Sequence, residues 1–246
     1  MKKALIIPDC HIPYHDERAY NLMLKVAIDI EPDEIVILGD YADFYAINSH
    51  GKDPDLQHVL MDEVYEVIEK LKELNKLFPK AKKVFIEGNH EYRLGRYIKN
   101  KAPDLYGAVS VDKILELKVM GYHFVPYCPN QKYNVLGCGL FARHEPLAGG
   151  KHVAQNSAEK AMASMIFGHT HRIQEAQTVT MDGKNIKGIS SGWLGDQSHP
   201  VMQYVRGHHQ WALGFSLVTH YKGTWFNDLV HIKDYKCVVD GYVYEG

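Results

Sequence analysis

Short apolar runs recur along the first two thirds of the chain, and each one stops at a glycine or at a cluster of polar residues. Their residues are mostly isoleucine, valine, leucine and phenylalanine, a composition typical of short strands buried in a sheet. These runs predict strands at Ala4–Pro8, Glu34–Leu38, Lys83–Glu87 and Met165–Phe167.

Longer stretches between these runs carry apolar residues at three- and four-residue steps, which is the spacing of one helix face. In the longest stretch, Asp53 would cap a helix, Pro54 suits its first turn and Pro79 ends it. The predicted helices lie at about Asp55–Phe78, at Glu17–Ile30 and at Glu91–Lys101. Alternating strands and helices indicate a layered α/β fold, in which ligands collect at the carboxyl ends of the strands.

The second half of the chain, after about residue 122, is richer in short strand patterns. Gly137-Cys138-Gly139 separates two apolar segments and predicts a β-hairpin of Tyr133–Leu136 with Leu140–Arg143. Gly149–Ala163 predicts one more helix. Later strands, with turns at Lys222-Gly223 and Asp240-Gly241, are predicted at Ile186–Ser190, Ala212–Thr219, Thr224–His231 and Tyr235–Val239. We therefore expect two packed sheets flanked by helices in a single domain spanning residues 1–246.

Composition and charge narrow the functional class only moderately. The 246 residues are 46% hydrophobic and 24% charged, which is ordinary for a globular protein. The net charge of −2, with histidines counted as neutral, excludes a global basic field but leaves room for a local basic patch. The apolar run after Met1-Lys2-Lys3 is too short for a signal peptide, and no run reaches the roughly 20 apolar residues of a membrane span. Four cysteines without a CxxC pair favour a reducing compartment, so we expect a cytoplasmic protein that does not bind membranes.

Five clusters of Asp, His and Asn follow apolar runs, where the predicted strands end. Carboxylate, amide and imidazole groups in this number suffice for two adjacent metal ions, which activate water and hold a phosphate for attack. The clusters are Asp9-Cys10-His11, Gly39-Asp40-Tyr41-Ala42-Asp43, Gly88-Asn89-His90-Glu91, Arg143-His144-Glu145 and Gly168-His169-Thr170-His171.

The spacing within the clusters suggests which side chains share an ion. Asp9 and His11 stand two residues apart, so in extended backbone both would face the same way. The Asp40 carboxylate has two oxygens and can bridge two ions. Any one cluster alone could equally be a turn or a solvated loop. Five in this order, each after a predicted strand, argue against coincidence.

Taken together, this order of motifs resembles the calcineurin-like metallophosphoesterase superfamily. The motifs span residues 9 to 171, about two thirds of the chain. The resemblance implies a four-layer αββα sandwich of two mixed β-sheets, with a dinuclear metal centre at the carboxyl ends of the strands. It implies one metal held by Asp9, His11 and His171, another held by Asn89, His144 and His169, and Asp40 as the bridge. It also implies that His90 acts near the leaving group without binding metal and that Asp43 orients it.

Two positions depart from the pattern of many relatives. Glu145 follows His144 where glycine is common, so His152 and His123 remain alternative ligands. Phe44 stands where the protein Ser/Thr phosphatases of the superfamily carry an arginine that binds phosphate. Guanidinium suits bidentate phosphate binding, so the candidates to replace it as substrate-binding residues are Arg93, Arg143 and Arg172.

The predicted activity is metal-dependent hydrolysis of a phosphoester by in-line attack of a hydroxide that bridges two divalent ions. Manganese is the favoured metal, and iron, zinc and nickel tolerate the same ligands. A phosphodiesterase acting on nucleotides or nucleic acid, including a nuclease, is favoured over a phosphomonoesterase or protein phosphatase. A mononuclear zinc hydrolase using His169, His171 and Asp9 ranks lower. A metal-free binding scaffold is the alternative from another functional class.

The sequence says less about the substrate and nothing about the oligomeric state. Arg93, Arg96, Lys99 and Lys101 follow the Asn89-His90 motif and would either guide nucleic-acid phosphates or form a solvated helix face. The segment Trp193–Trp211 is rich in aromatic residues and histidine. It would stack bases, form a packed loop or make a subunit contact.

Overall fold

The computed structural model of the protein describes residues 1–49, 59–202 and 210–246. The α-helices of these ranges are α1 (Glu17–Ile30), α2 (Leu60–Leu77), α3 (Tyr92–Lys101), α4 (Val111–Ile114) and α5 (Val153–Ala161). Short 3-10 helices lie at Tyr45–Ile47, Pro103–Leu105 and Pro200–Met202. The strands are β1 (Lys2–Ile7), β2 (Glu34–Ile37), β3 (Lys82–Ile86), β4 (His123–Val125), β5 (Tyr133–Val135), β6 (Leu140–Arg143), β7 (Met165–Phe167), β8 (Ile173–Val179), β9 (Asn185–Ser191), β10 (Gly214–Tyr221), β11 (Thr224–His231), β12 (Lys236–Val239) and β13 (Tyr242–Glu245).

Most of the strands form two mixed sheets. The first has the order β11-β10-β1-β2-β3-β4, with β1 to β4 parallel and with β10 antiparallel to both of its neighbours. The second has the order β5-β6-β7-β9-β8, with β6, β7 and β9 parallel and antiparallel strands at both edges. Strands β12 and β13 form a separate hairpin.

Alternation along the central strands sends side chains into two different layers of the core. In β1, Ala4 and Ile6 face a core between the sheets, where they join Ile166 of β7 and Ile189 of β9. The intervening Leu5 instead joins the apolar residues of α1 and α2 on the outer side of the first sheet. Helix α5 covers the outer side of the second sheet. The layers are thus helix, sheet, sheet and helix, which confirms the predicted four-layer αββα sandwich.

Helices α1 and α2 form where the sequence has a capping residue or apolar residues at helical spacing. The side chain of Asp16 caps α1 by accepting a 3.0 Å hydrogen bond from the Ala19 backbone N–H. In α2 the buried residues recur at helical spacing on one face and pack on the first sheet: Val64, Val67, Ile68, Leu71 and Leu74. The predicted start of this helix near Asp55, with its Asp53 cap and Pro54, lies outside the described residues.

The predicted elements differ from the structure mainly at their ends. Helix α1 and strands β7 and β11 have the predicted bounds, and the hairpin of β5 with β6 is confirmed. Helix α5 begins four residues later than the predicted Gly149. Strand β8 (sequence IQEAQTV) was not predicted because it is an edge strand whose side chains are half-buried or exposed, so it has no apolar run.

The sheet arrangement has one consequence for chemistry. Parallel strands of both sheets end at the same edge, so the residues that follow β1, β2, β3, β6 and β7 meet there.

The four cysteines, all in described parts of the chain, form no disulfide. Among the described helices, none combines the length and the apolar character needed to cross a bilayer.

Candidate metal centre

All seven predicted metal ligands lie at this edge of the sandwich, and they come from both sheets. Asp9, Asp40 and Asn89 follow strands of the first sheet, whereas His144 and His169 follow strands of the second. Six of these ligands and His90 form three overlapping groups, in each of which the ligand atoms lie within 4.8 Å of one another: Asp9 with His11 and His171, His11 with Asp40 and His90, and Asp40 with His144 and His169.

The first group brings the Nε2 atoms of two imidazoles together, with the ring planes 82° apart. Nε2 of His11 lies 3.1 Å from Nε2 of His171, and Oδ1 of Asp9 lies 3.6 Å from the same His171 atom. Nδ1 of His11 is 2.9 Å from Oδ2 of Asp43, an arrangement in which Nδ1 carries the hydrogen and Nε2 keeps a lone pair. Nδ1 of His171 is buried and has no hydrogen-bond partner among the described residues. Two lone pairs aimed at one point beside a carboxylate fit a divalent cation.

The third group has the same character. Nδ1 of His144 donates to the carbonyl oxygen of Leu38 at 2.9 Å, which fixes the ring and turns Nε2 toward the site. This Nε2 lies 2.9 Å from the amide oxygen of Asn89 and 3.3 Å from Oδ2 of Asp40. Nδ1 of His169 lies 2.8 Å from the same Asn89 oxygen. Two imidazoles, an amide and a carboxylate therefore converge on a second point, and they too fit a divalent cation.

Asp40 belongs to the third group and shares the second group with His11, which is also a member of the first. Its Oδ1 accepts a hydrogen bond from the backbone N–H of His90 at 2.8 Å, and its Oδ2 faces His144. A carboxylate held in this way can reach both cation positions.

Burial and mutual attraction shift the pKa values of this cluster strongly. Burial raises the pKa of Asp9 to about 6, partly opposed by His144. Burial alone would raise the pKa of Asp40, but His144 and His90 outweigh it and hold that pKa well below its usual range. Burial would lower the pKa of His144, yet the nearby Asp40 raises it to about 10. Burial and His11 keep the pKa of His171 well below its usual value, which favours the neutral imidazole that a metal requires.

Beside the ligand groups, His90 is tied to Asp43 and Arg93. Nδ1 of His90 lies 3.0 Å from Oδ2 of Asp43. The Arg93 guanidinium donates to the Asp43 backbone oxygen at 2.9 Å and to its Oδ1 at 3.1 Å, and its other terminal nitrogen lies 3.0 Å from Nε2 of His90. Burial would lower the pKa of His90, but Asp40 and Asp43 raise it above its usual value. The contacts of His90 with Asp43 and Arg93 set the orientation of its ring.

Several site residues have a left-handed backbone, which is rare without glycine. The φ angles are +55° at His11, +47° at Asp40, +62° at His169 and +56° at His171. Such conformations cost about 1–3 kcal/mol each and concentrate at functional sites. These angles also correct the expected backbone between Asp9 and His11. Asp9 and His11 do share a group, as the sequence predicted, but not through extended backbone, since the chain turns at His11.

Two glycines allow the loops after β2 and β3 to touch. A Cβ atom on Gly88 would collide with the backbone nitrogen and Oδ1 of Asp40. Gly39 has a φ of +93°, and a Cβ there would lie 2.8 Å from both the Gly88 Cα and Nδ1 of His144. The glycines that precede the predicted ligands are therefore required for close approach of the backbone.

Glu91 is the site residue whose role the sequence did not reveal. Its Oε2 accepts hydrogen bonds from the backbone N–H groups of Asp40 at 2.9 Å and Gly88 at 2.8 Å, and its Oε1 accepts one from Ala42 at 2.9 Å. The residue is fully buried, and burial raises its pKa to about 7. Glu91 thus joins the loops after β2 and β3. The only signal in the sequence was its place directly after His90.

The three candidate arginines have different surroundings. Arg93 lies in the site, beside His90. Arg143 lines a cavity of about 400 Å³ together with Phe141 and Leu147, none of which is a predicted ligand. Arg172 donates to the carbonyl oxygen of Gly150 at 3.2 Å. Of the three, Arg93 is the one that contacts predicted catalytic residues.

The alternative ligands and the two residues that depart from the motif pattern lie outside the ligand groups. His123 and His152 are exposed and belong to none of the ligand groups, which favours His144. Glu145 accepts a hydrogen bond from the Tyr127 hydroxyl at 2.5 Å. Phe44 is fully buried in the core under the first sheet.

Tryptophans pack directly on the first ligand group. Trp193 is 1% exposed and stacks on His171 with ring centroids 4.7 Å apart. Trp211 meets the same histidine edge-on at 4.8 Å. Trp193 therefore supports His171 and has no free face for a base, in agreement with the packed-loop interpretation of this segment. Residues 203–209 of the segment lie outside the described residues.

Replacing Glu91 with Gln tests the link between the two loops. A glutamine has one acceptor oxygen, so at least one backbone N–H loses its partner and the free energy of unfolding should fall by about 1–3 kcal/mol. Urea denaturation measures the change. Glu69→Gln, at a side chain that is 71% exposed, is the control and should change stability by less than about 0.5 kcal/mol. Equal stability of the two variants would show that Glu91 does not hold the loops.

The chain is similar to several known proteins. The family model of calcineurin-like phosphoesterases matches residues 2–173. The chain is 28% identical to the Gene 54 protein of Mycobacterium phage L5 and 26% identical to that of Mycobacterium phage D29, and each alignment covers 99% of both chains. Among solved structures, Yfce, a phosphoesterase from E. coli, aligns at a TM-score of 0.45 and 16% identity over 96% of this chain and 97% of that one. Because the family model covers well over half of the 246 residues, the chain belongs to the calcineurin-like phosphoesterase family and is a metal-dependent phosphoester hydrolase.

Proposed function

We propose that this enzyme is a dinuclear phosphodiesterase acting on nucleotides or nucleic acid. The observation that carries the proposal is that Asp40 shares one ligand group with His11 and another with His144 and His169. In this assignment one ion binds Asp9, His11 and His171, the other binds Asn89, His144 and His169, and Asp40 contacts both. Mixed oxygen and imidazole ligands suit manganese, our first choice, and also iron, zinc or nickel.

The pair of ions would supply a water-derived nucleophile at neutral pH and neutralise charge on the phosphate oxygens. The chain's own residues do the rest. Asp43 accepts the Nδ1 hydrogen of His90 and so fixes the ring, with Nε2 toward Arg93 and Asp40. A leaving-group oxygen that approaches Nε2 receives a proton there, and the raised pKa of His90 keeps that proton available. Arg93 lies within reach of the same oxygen and can donate to the phosphate.

The preference for a diester rests on the cations around His90. A monoester carries up to two negative charges and a diester only one. Among the described arginines, Arg93 alone contacts His90 or Asp43, and it also neutralises the Asp43 carboxylate. The buried Phe44 offers no second guanidinium at its position. This modest positive charge suits a singly charged diester.

Hydrolysis of bis-p-nitrophenyl phosphate and p-nitrophenyl phosphate, with manganese added, tests the proposal. We expect kcat/KM for the diester to exceed that for the monoester by about tenfold or more, equivalent to at least ~1.4 kcal/mol of transition-state discrimination. The reverse order would make the enzyme a phosphomonoesterase. No hydrolysis of either compound, together with no bound metal, would favour a binding scaffold.

Asp40→Asn tests whether one carboxylate serves both ions. An amide offers one neutral oxygen, so we expect both ions to be lost together and activity with them. Metal analysis of the purified variant measures the content, with Asp104→Asn, at an exposed residue outside the site, as the control. A variant that still holds two ions per chain contradicts the bridging role.

His90→Ala tests proton donation to the leaving group. Nitrophenolate leaves without help, whereas a sugar alkoxide needs a proton, so the variant should lose about 10²–10⁴-fold in rate on a dinucleotide and far less on the nitrophenyl diester. The exposed His123→Ala serves as the control for both substrates. An equal loss on the two substrates would falsify the general-acid role.

A further inference from the structure

Helix α3 begins directly beside the metal centre and is unusually basic. It follows His90 by two residues and contains four cationic residues and no acidic ones, although the whole chain has a net charge of −2. Arg93 is held in the site, whereas the other cations of the helix, Arg96, Lys99 and Lys101, are exposed. The exposed cations of α3 therefore form a basic surface that starts beside the predicted catalytic residues.

Aromatic rings accompany these cations. Tyr92, the first residue of α3, stacks on Tyr127 with ring centroids 4.9 Å apart and an interplanar angle of 30°. The Tyr127 hydroxyl donates to Glu145, the residue after the proposed ligand His144. One end of this stack is thus fixed next to the metal centre.

Farther out, a lysine links this stack to a second ring. Nζ of Lys99 lies 5.8 Å from the ring centroid of Tyr92 and 5.1 Å from that of Tyr106. Tyr106 is 62% exposed, and Tyr97 on the same helix is 47% exposed. Lys99 is seven residues beyond Tyr92, so the row extends roughly 10 Å along the helix axis.

We propose that Tyr92, Lys99, Tyr106 and Tyr127, which we call the α3 track, bind single-stranded nucleic acid and lead it to the metal centre. Aromatic rings on either side of a cation match the unpaired bases and the phosphates of a single strand. A duplex hides its base faces, and an acidic peptide has no use for exposed aromatic faces. The α3 track deepens the proposed phosphodiesterase function and rests on it, since it names the substrate class of the same site.

The test combines binding and hydrolysis for the double variant Lys99→Gln/Tyr106→Ala. Fluorescence anisotropy with a labelled oligothymidylate measures binding, and we expect Kd to rise about tenfold or more, because base–aromatic stacking and one phosphate contact are lost. The slope of log Kd against log salt should decrease by about 0.7, the value for one phosphate contact on a single strand. In hydrolysis, the loss of kcat/KM on the oligonucleotide should exceed the loss on bis-p-nitrophenyl phosphate by about tenfold.

A matched control exists at the other end of the sheet. Nζ of Lys222 lies 5.3 Å from the ring centroid of Tyr221, which is 48% exposed, at the turn between β10 and β11. This turn lies near the amino end of β1, since Lys2 pairs with His220, and thus opposite the metal centre. Tyr221→Ala/Lys222→Gln removes the same two groups there and should leave oligonucleotide binding and hydrolysis unchanged.

The outcomes separate the α3 track from the function on which it rests. Equal oligonucleotide binding by the track variant, the control variant and the unaltered enzyme overturns the track, even if the nitrophenyl diester is cleaved. Tighter binding of a duplex, or of an oligo-glutamate peptide, than of the single strand overturns it as well. Failure to cleave any diester, with oligonucleotide binding that the track variant weakens, supports the track and removes the phosphodiesterase proposal instead.

Discussion

Three hydrogen bonds hold Asp40 in place, and the candidate centre depends on them. Its backbone N–H donates to Glu91, its backbone oxygen accepts from the N–H of His11 at 2.8 Å, and its Oδ1 accepts from the N–H of His90. These bonds connect the segments that follow β1, β2 and β3. A left-handed residue at the end of a strand persists only when its surroundings fix it, and here each polar group of Asp40 has a partner.

Burial strengthens these hydrogen bonds, and it also requires that every buried carboxylate has donors or cations beside it. Carboxylates out of water are stable only with donors or cations nearby, because desolvation penalises the charged form. Asp43 shows one solution, since His11, His90 and Arg93 all contact its oxygens. Glu91 shows another, in which three backbone N–H groups take the place of a cation. The site therefore arranges its negative charges so that Asp9 and Asp40 face the proposed ion positions, whereas the other two carboxylates face the protein.

Strand ends and motif order were enough to select the candidate ligands from the sequence. Apolar runs marked where β1, β2 and β3 stop, and the parallel order brought Asp9, Asp40 and Asn89 together. The role of Glu91 was hidden because it depends on the orientation of backbone groups in two loops that only the folded chain defines. Trp193 lies 22 positions after His171 in the sequence, so no local pattern could show that the two rings stack.

Each outer group of candidate ligands draws side chains from both sheets. Asp9 and His11 come from the first sheet and His171 from the second, while Asn89 comes from the first and His144 and His169 from the second. The candidate centre therefore lies where the two sheets meet. A shift of one sheet against the other would change the distances between candidate ligands in both groups at once, so the apolar packing between the two sheets also sets the geometry of the site.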